Sequence, residues 1–306
     1  MLRLALLTRI TLLGALATAS GGGYAIADLI TVDLGKSLQQ TQTDAAGDMS
    51  NTVDYFAARA FYQNAGDFDG GTLMWSGCMS PQPMTDTPGD YYFLNNPVPA
   101  AGYFIYQTGS YSSQSTLDAD FPMGAYTYNL TSGTMTTPPA SSTIGYAADL
   151  YPANTPVLTA ASFTALQNLD ATQSADVGFS PLLNNAAFDS STDSSFVFLD
   201  VFNASTNTDV YSTFSSTPAG LMDLTLPAYT LAPGTSYYLV LDFDNRIAGT
   251  DANGVAQFQL FDNKTVVNFT TASSVATPEP AGFALSALGI LLILGPAYFM
   301  RVRSGR

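Results

Sequence analysis

The chain predicts an all-β fold of the β-sandwich type, and three observations carry that expectation. Between Asp28 and Thr271 apolar residues come in short or alternating runs, with no long stretch of helical period. The runs are separated by clusters of Gly, Pro, Asn, Asp and Ser, each of which favours turning the chain. Tyr (17) and Phe (19) are abundant, and aromatic side chains suit a pleated, half-buried surface.

Taken in order, residues 1–27 read as a secretory signal peptide. Arg3 and Arg9 flank the short apolar run 10–19, and Ala25-Ile26-Ala27 offers a small-x-small cleavage site for signal peptidase before Asp28. Residues 28–150 are expected to form a β-rich domain, with strands at 56–62, 72–75, 103–108 and 125–130. Residues 45–52, Pro81 to Pro83, and Thr87-Pro88-Gly89-Asp90 read as loop or turn. Residues 151–273 are expected to form a second domain, and its pattern is clearer. Tyr237, Leu239, Leu241 and Phe243 share one face of a strand, Met222, Leu224 and Leu226 alternate with polar residues, and 196–202 is nearly continuous apolar. Pro227 and Pro233 fall at strand ends, where a missing N–H costs little.

Within that second domain, Leu231-Ala232-Pro233-Gly234-Thr235-Ser236-Tyr237 resembles the L-x-P-G-T-x-Y corner of fibronectin type III domains. In that family a tyrosine hydroxyl near a strand start bonds back to upstream backbone. The strand order 175–180, 195–202, 210–214, 221–226, 237–243 and 257–261 fits the same immunoglobulin-like sandwich. Phe179 stands where such domains usually place a core tryptophan.

Residues 274–306 form a tripartite tail. Thr277-Pro278-Glu279-Pro280 carries the chain's only glutamate among 24 acidic residues. Residues 281–300 are uncharged, long enough at about 1.5 Å per residue to cross a hydrocarbon core as one transmembrane helix. Arg301, Arg303 and Arg306 follow and hold that end on the cytoplasmic side. The motif, the span and the arginine cluster together resemble the PEP-CTERM sorting signal of Gram-negative bacteria. The resemblance implies an inner-membrane-anchored precursor, cut by an exosortase beside Pro278, Glu279 and Pro280. It also implies release to the cell surface or beyond, in organisms that make exopolysaccharide.

Composition excludes several functions. Histidine is absent, which removes Ser-His-Asp and Cys-His nucleophilic sites as well as His-ligated zinc or haem. Cys78 is the only cysteine, so no disulfide forms within the chain, and pairing between chains requires its exposure. Removing residues 1–27 and 281–306 leaves four basic residues against all 24 acidic ones, net −20, which repels nucleic acid and anionic lipid.

The remaining candidate sites are few. Aspartate pairs such as Asp67/Asp69, Asp118/Asp120 and Asp242/Asp244 are the only route to glycosidase chemistry, and such pairs more often cap turns. Asp242, Asp244, Asn245, Asp251 and Asn253 gather around an expected loop as oxygen ligands for calcium, without a full EF-hand series, and a solvated loop is the simpler reading. The aromatic runs Tyr91-Tyr92-Phe93 and Tyr103-Phe104-Ile105-Tyr106 allow a carbohydrate-binding module, although aromatics at this spacing more often build cores. The expectation is therefore a non-enzymatic, cofactor-free structural or adhesive surface protein associated with exopolysaccharide.

Overall fold

The computed structural model describes residues 29–64, 66–93, 96–132 and 141–273. The signal-cleavage residues Ala25 and Ala27, the motif Pro278-Glu279-Pro280, the apolar span 281–300 and Arg301, Arg303 and Arg306 all lie outside them. No helix among the described residues is long and apolar enough to cross a membrane.

The chain is mostly β. Strands β1 (Leu29–Gln42), β2 (Met49–Tyr62), β3 (Phe68–Trp75), β4 (Gln82–Phe93) and β5 (Asn96–Gln107) come first. A short helix α1 (Gln114–Asp120) precedes β6 (Gly124–Ser132) and β7 (Ser141–Tyr146). Helix α2 (Ala160–Leu166) then leads into β8 (Ala175–Gly178), β9 (Ser194–Asn203), β10 (Thr208–Ser215) and β11 (Asp223–Leu226). Two long strands, β12 (Ser236–Thr250) and β13 (Ala256–Thr270), close the fold.

Eleven strands share one mixed sheet, ordered β10-β9-β12-β13-β1-β2-β5-β4-β3-β6-β7, while β8 and β11 pair separately. Among the described residues only β1 and β13 run parallel, with Thr31 opposite Ala256 and Thr41 opposite Val266. That pairing carries the sheet without a break from the first half of the chain to the second. The β12–β13 hairpin is its spine, since its two ends serve different cores. Leu239, Leu241, Phe243, Val267 and Phe269 join an aliphatic core with β8, β9 and β11. Phe261 and Val255 join an aromatic core with β1, β2, β3, β6 and β7.

The corner expected from Pro233-Gly234-Thr235 forms. The Tyr237 hydroxyl accepts the Ala232 N–H at 2.8 Å, and Gly234 takes φ +62°, a left-handed conformation that glycine adopts without a Cβ penalty. Phe179 is fully buried and meets Phe243 edge-on at 6.1 Å.

Several expectations need correction. The segment 45–52 is a turn only to Asp48, because Met49 and Ser50 already pair with Gln42 and Thr41 of β1. Gln82, Pro83 and the stretch 87–90 belong to β4, and Pro81 stands just before it. This strand bonds β3 through Gln82 to Met84 and β5 from Thr85 onward, and its ladder breaks between Pro88 and Tyr91, where the missing N–H is tolerated. Gly102 opposes Tyr62 so closely that a Cβ there would collide with the phenol oxygen.

All four basic residues of the described region are buried. Arg59 grips Asp33 through two bonds, Nε–Oδ1 at 2.9 Å and a terminal guanidinium nitrogen to Oδ2 at 2.8 Å. Arg246 bonds Asp244 at 2.8 Å, and Lys264 sits between Asp262 at 2.8 Å and Asp242 at 3.1 Å. Lys36, on the opposite face, pairs with Asp118 at 2.6 Å and Asp149 at 3.2 Å. The described surface therefore carries carboxylates and no cation.

Candidate binding cleft

The structure dissolves the candidate calcium loop. Strand β12 runs on to Thr250, so Asp242, Asp244 and Asn245 are strand residues within the sheet. Burial pushes Asp242 well above the usual carboxylate range and Asp244 up to about 7, only partly offset by Lys264 and Arg246 respectively. Asn245 faces the other way and donates to the Leu150 carbonyl. Asp251 caps its own turn, accepting the N–H groups of Asn253 and Val255 at 2.8 and 2.9 Å, and its second oxygen accepts from Ser142. No cluster of metal-ligating acids or thiols forms among the described residues.

The aspartate pairs separate in the same manner. Asp67 caps the turn at Asn64. Asp118 turns inward to Lys36, while Asp120, at the end of the same helix, turns to the surface. The cause is the helical period: residues two apart on a helix point in different directions.

Asp120 leads to a concavity of this half. A cleft of about 330 Å³ opens between β3, β4, β5 and the end of α1, lined by Trp75, Ser76, Gly77, Gln82, Tyr106, Tyr111, Ala119, Asp120, Phe121 and Pro122. Its volume falls at the lower end of the range for small-ligand sites. Four elements supply its rings. Trp75 ends β3, Tyr106 lies near the end of β5, Tyr111 follows in the loop, and Phe121 caps α1 through its N–H to the Leu117 carbonyl. Local sequence fixes that helix. Ser113 caps its start by accepting from the Thr116 N–H, and Leu117 is driven fully into the aromatic core.

The rings converge on Phe121. Trp75 lies 4.9 Å from it, Tyr106 6.2 Å, and Tyr111 meets it edge-on at 6.2 Å, while Phe56 stacks beneath at 4.1 Å. Phe121 is buried, and the other three cleft rings are each partly open to solvent. Their polar groups are held in place. The Trp75 indole N–H donates to the Asp120 carbonyl at 2.9 Å, and the Tyr111 hydroxyl donates to Asp120 Oδ2 at 2.8 Å. Burial and that bond raise Tyr111 to about 12, so it stays a protonated donor at neutral pH. Burial also raises Tyr106, with smaller contributions from Cys78 and Asp120.

Cys78 stands just outside the rings. Its thiol donates to the Ser80 carbonyl at 2.8 Å, and Gln82, which lines the cleft, donates to its sulfur at 3.7 Å. Of the run Tyr103-Phe104-Ile105-Tyr106, Tyr106 lines the cleft. Phe104 packs in the aromatic core, and Tyr103 pairs with Phe61 at 5.1 Å on the far face. Trp75, Tyr111 and Phe121 lie outside that run. The signal that points to them is the lone tryptophan, beside a Gly-Cys turn.

No family model and no curated protein matches the chain. Among solved structures it is similar to the FN1–FN3 domains of chicken CNTN1, at 10% identity and TM-score 0.22, covering 80% of this chain and 67% of that one. A DUF3823 family protein from Bacteroides uniformis matches at 10% identity and TM-score 0.22, over 78% of this chain and 98% of its own. The BSP domain of a biofilm associated protein matches at 7% identity and TM-score 0.19, over 83% and 68%. TM-scores this low establish neither a shared fold nor a shared function.

Proposed function

We propose that this chain is an exported, non-enzymatic surface protein whose body holds glycan in the aromatic cleft. The observation that carries the binding role is the convergence of Trp75, Tyr106 and Tyr111 on Phe121 with Asp120 fixed at the rim. Flat aromatic faces take up the apolar face of a sugar ring, and the Asp120 carboxylate, Gln82 and the Tyr111 hydroxyl offer hydrogen bonds to its edge. The remainder of the body is a scaffold, and its second half is a fibronectin III-like sandwich, which the formed tyrosine corner supports.

Delivery rests on the two ends. A signal peptide cut after Ala27 starts export, and the apolar span 281–300, oriented by Arg301, Arg303 and Arg306, holds the precursor in the inner membrane. An exosortase then cuts at Pro278-Glu279-Pro280 and frees the body to the cell surface or its exopolysaccharide matrix. A hydrolase reading is not favoured, since Asp118 and Asp120 diverge and Asp242 and Asp244 are both bound in ion pairs.

Retention of the full chain on immobilised exopolysaccharide tests the binding role. Saturable retention that Trp75→Ala abolishes is the expected result, and retention unchanged in Trp75→Ala contradicts it. For delivery, Glu279→Ala leaves an uncleaved, membrane-bound precursor, and normal release of that variant overturns the sorting role.

A further inference from the structure

We infer that the glycan taken by this cleft carries free amino groups. The inference rests on the glycan-binding reading above and narrows it to cationic, amino-bearing sugars. Its first support is Asp120. The Tyr111 hydroxyl fixes Oδ2 at 2.8 Å and the Trp75 indole N–H fixes the backbone carbonyl at 2.9 Å, so the carboxylate is held at the rim.

The second support is the fate of the cations. An acidic rim in an ordinary protein is balanced by a nearby lysine or arginine. Here Lys36, Arg59, Arg246 and Lys264 are each 1–5% exposed and each is bound to another aspartate. None of them faces Asp120, which leaves the rim charge for a ligand to answer. An ammonium group 3–4 Å from a carboxylate is attracted, and a uronate in its place is repelled.

The third support is the floor. An ammonium over the face of a tryptophan or tyrosine gains from the ring quadrupole, while the sugar ring that carries it stacks. A lysine-rich peptide answers the charge equally well but brings no ring to stack on Trp75, so the cleft favours the amino sugar. The net charge of −20 on the body adds a long-range field that draws cationic polymer inward and holds acidic polysaccharide off.

Calorimetric titration of the full chain in detergent tests this with four probes: a β-linked glucosamine hexamer, its fully N-acetylated counterpart, an oligoglucuronate and hexalysine. At about 10 mM salt, where screening is weak, the glucosamine hexamer binds about five- to tenfold tighter than the acetylated one, and the oligoglucuronate does not bind. Asp120→Asn removes that preference, so that the two hexamers bind alike. Trp75→Ala removes binding of both. Equal affinity for the two hexamers overturns the amine preference while leaving the glycan reading intact, and absence of binding to any sugar probe overturns both. Amine binding that survives Trp75→Ala, or hexalysine binding that matches the glucosamine hexamer, also overturns the inference, because charge alone would then account for it.

Discussion

The two cores of this molecule are built from different residues and end in different ways. The core of β8, β9, β11, β12 and β13 is aliphatic, with Val197, Leu199, Val201, Leu239, Leu241 and Val267 each at 0% exposure, and its corner is sealed by Tyr237. The core under β1, β2, β3, β6 and β7 is aromatic, and its rings continue outward from Phe56 through Phe121 to the half-open Trp75, Tyr106 and Tyr111. Branched aliphatic side chains interdigitate and leave nothing over, whereas flat rings stack edge to face and expose a surface where the stack ends. The first region is a scaffold, and the second is where a ligand surface can arise.

The largest effect that sharpens this contrast is Phe179→Ala in the aliphatic core. Loss of a fully buried ring should cost about 3–5 kcal/mol in chemical denaturation. Glycan affinity per folded molecule should be unchanged, and a parallel fall in affinity would argue that the two regions are not separable.

The aromatic core carries a polar cost at Asp54. Asp54 is fully buried, neither of its oxygens is hydrogen-bonded, and burial, with Asp118 nearby, raises it to about 6. Its folded pKa lies above its unfolded value, so the native state binds the proton more tightly and stability falls as pH rises from about 4 through 6. Asp54→Asn should therefore stabilise the fold by about 1–3 kcal/mol at neutral pH, with the gain vanishing near pH 4. Denaturation of both proteins across that range checks it, and no gain at neutral pH refutes it.

A smaller effect belongs to the corner. Tyr237→Phe removes the bond to the Ala232 N–H and should cost about 1 kcal/mol, read as a shift in the denaturation midpoint. A neutral result would mean that ring packing against Phe269, rather than the hydroxyl, holds the corner.

The aliphatic half was the more legible in sequence for the same reason that it is a good scaffold. Its strands alternate with period two, and its corner is local, with Ala232 and Tyr237 five positions apart. Strand β1 could not be read in this way. Both of its faces are covered, and polar residues such as Asp33 and Lys36 are accommodated by distant partners, among them Arg59 and Asp118, 26 and 82 positions away. Strand β4 was hidden by Pro83 and Pro88, which local rules assign to turns but which sit here at a strand handover and a ladder break. The cleft was only partly visible, because Trp75, Tyr106, Tyr111 and Phe121 come from four separate elements, and no spacing in the chain announces their meeting. The aspartates near 242–244 misled because a loop was expected where the strands continue.

Glycan affinity of Trp75→Ala compared with the unmodified chain, measured by titration with a β-linked hexosamine oligomer, bears most directly on the central claim. Loss of one stacking face should weaken binding by about tenfold or more in protein that remains folded. Unchanged affinity in a folded Trp75→Ala protein would contradict the assignment of this cleft as the ligand site.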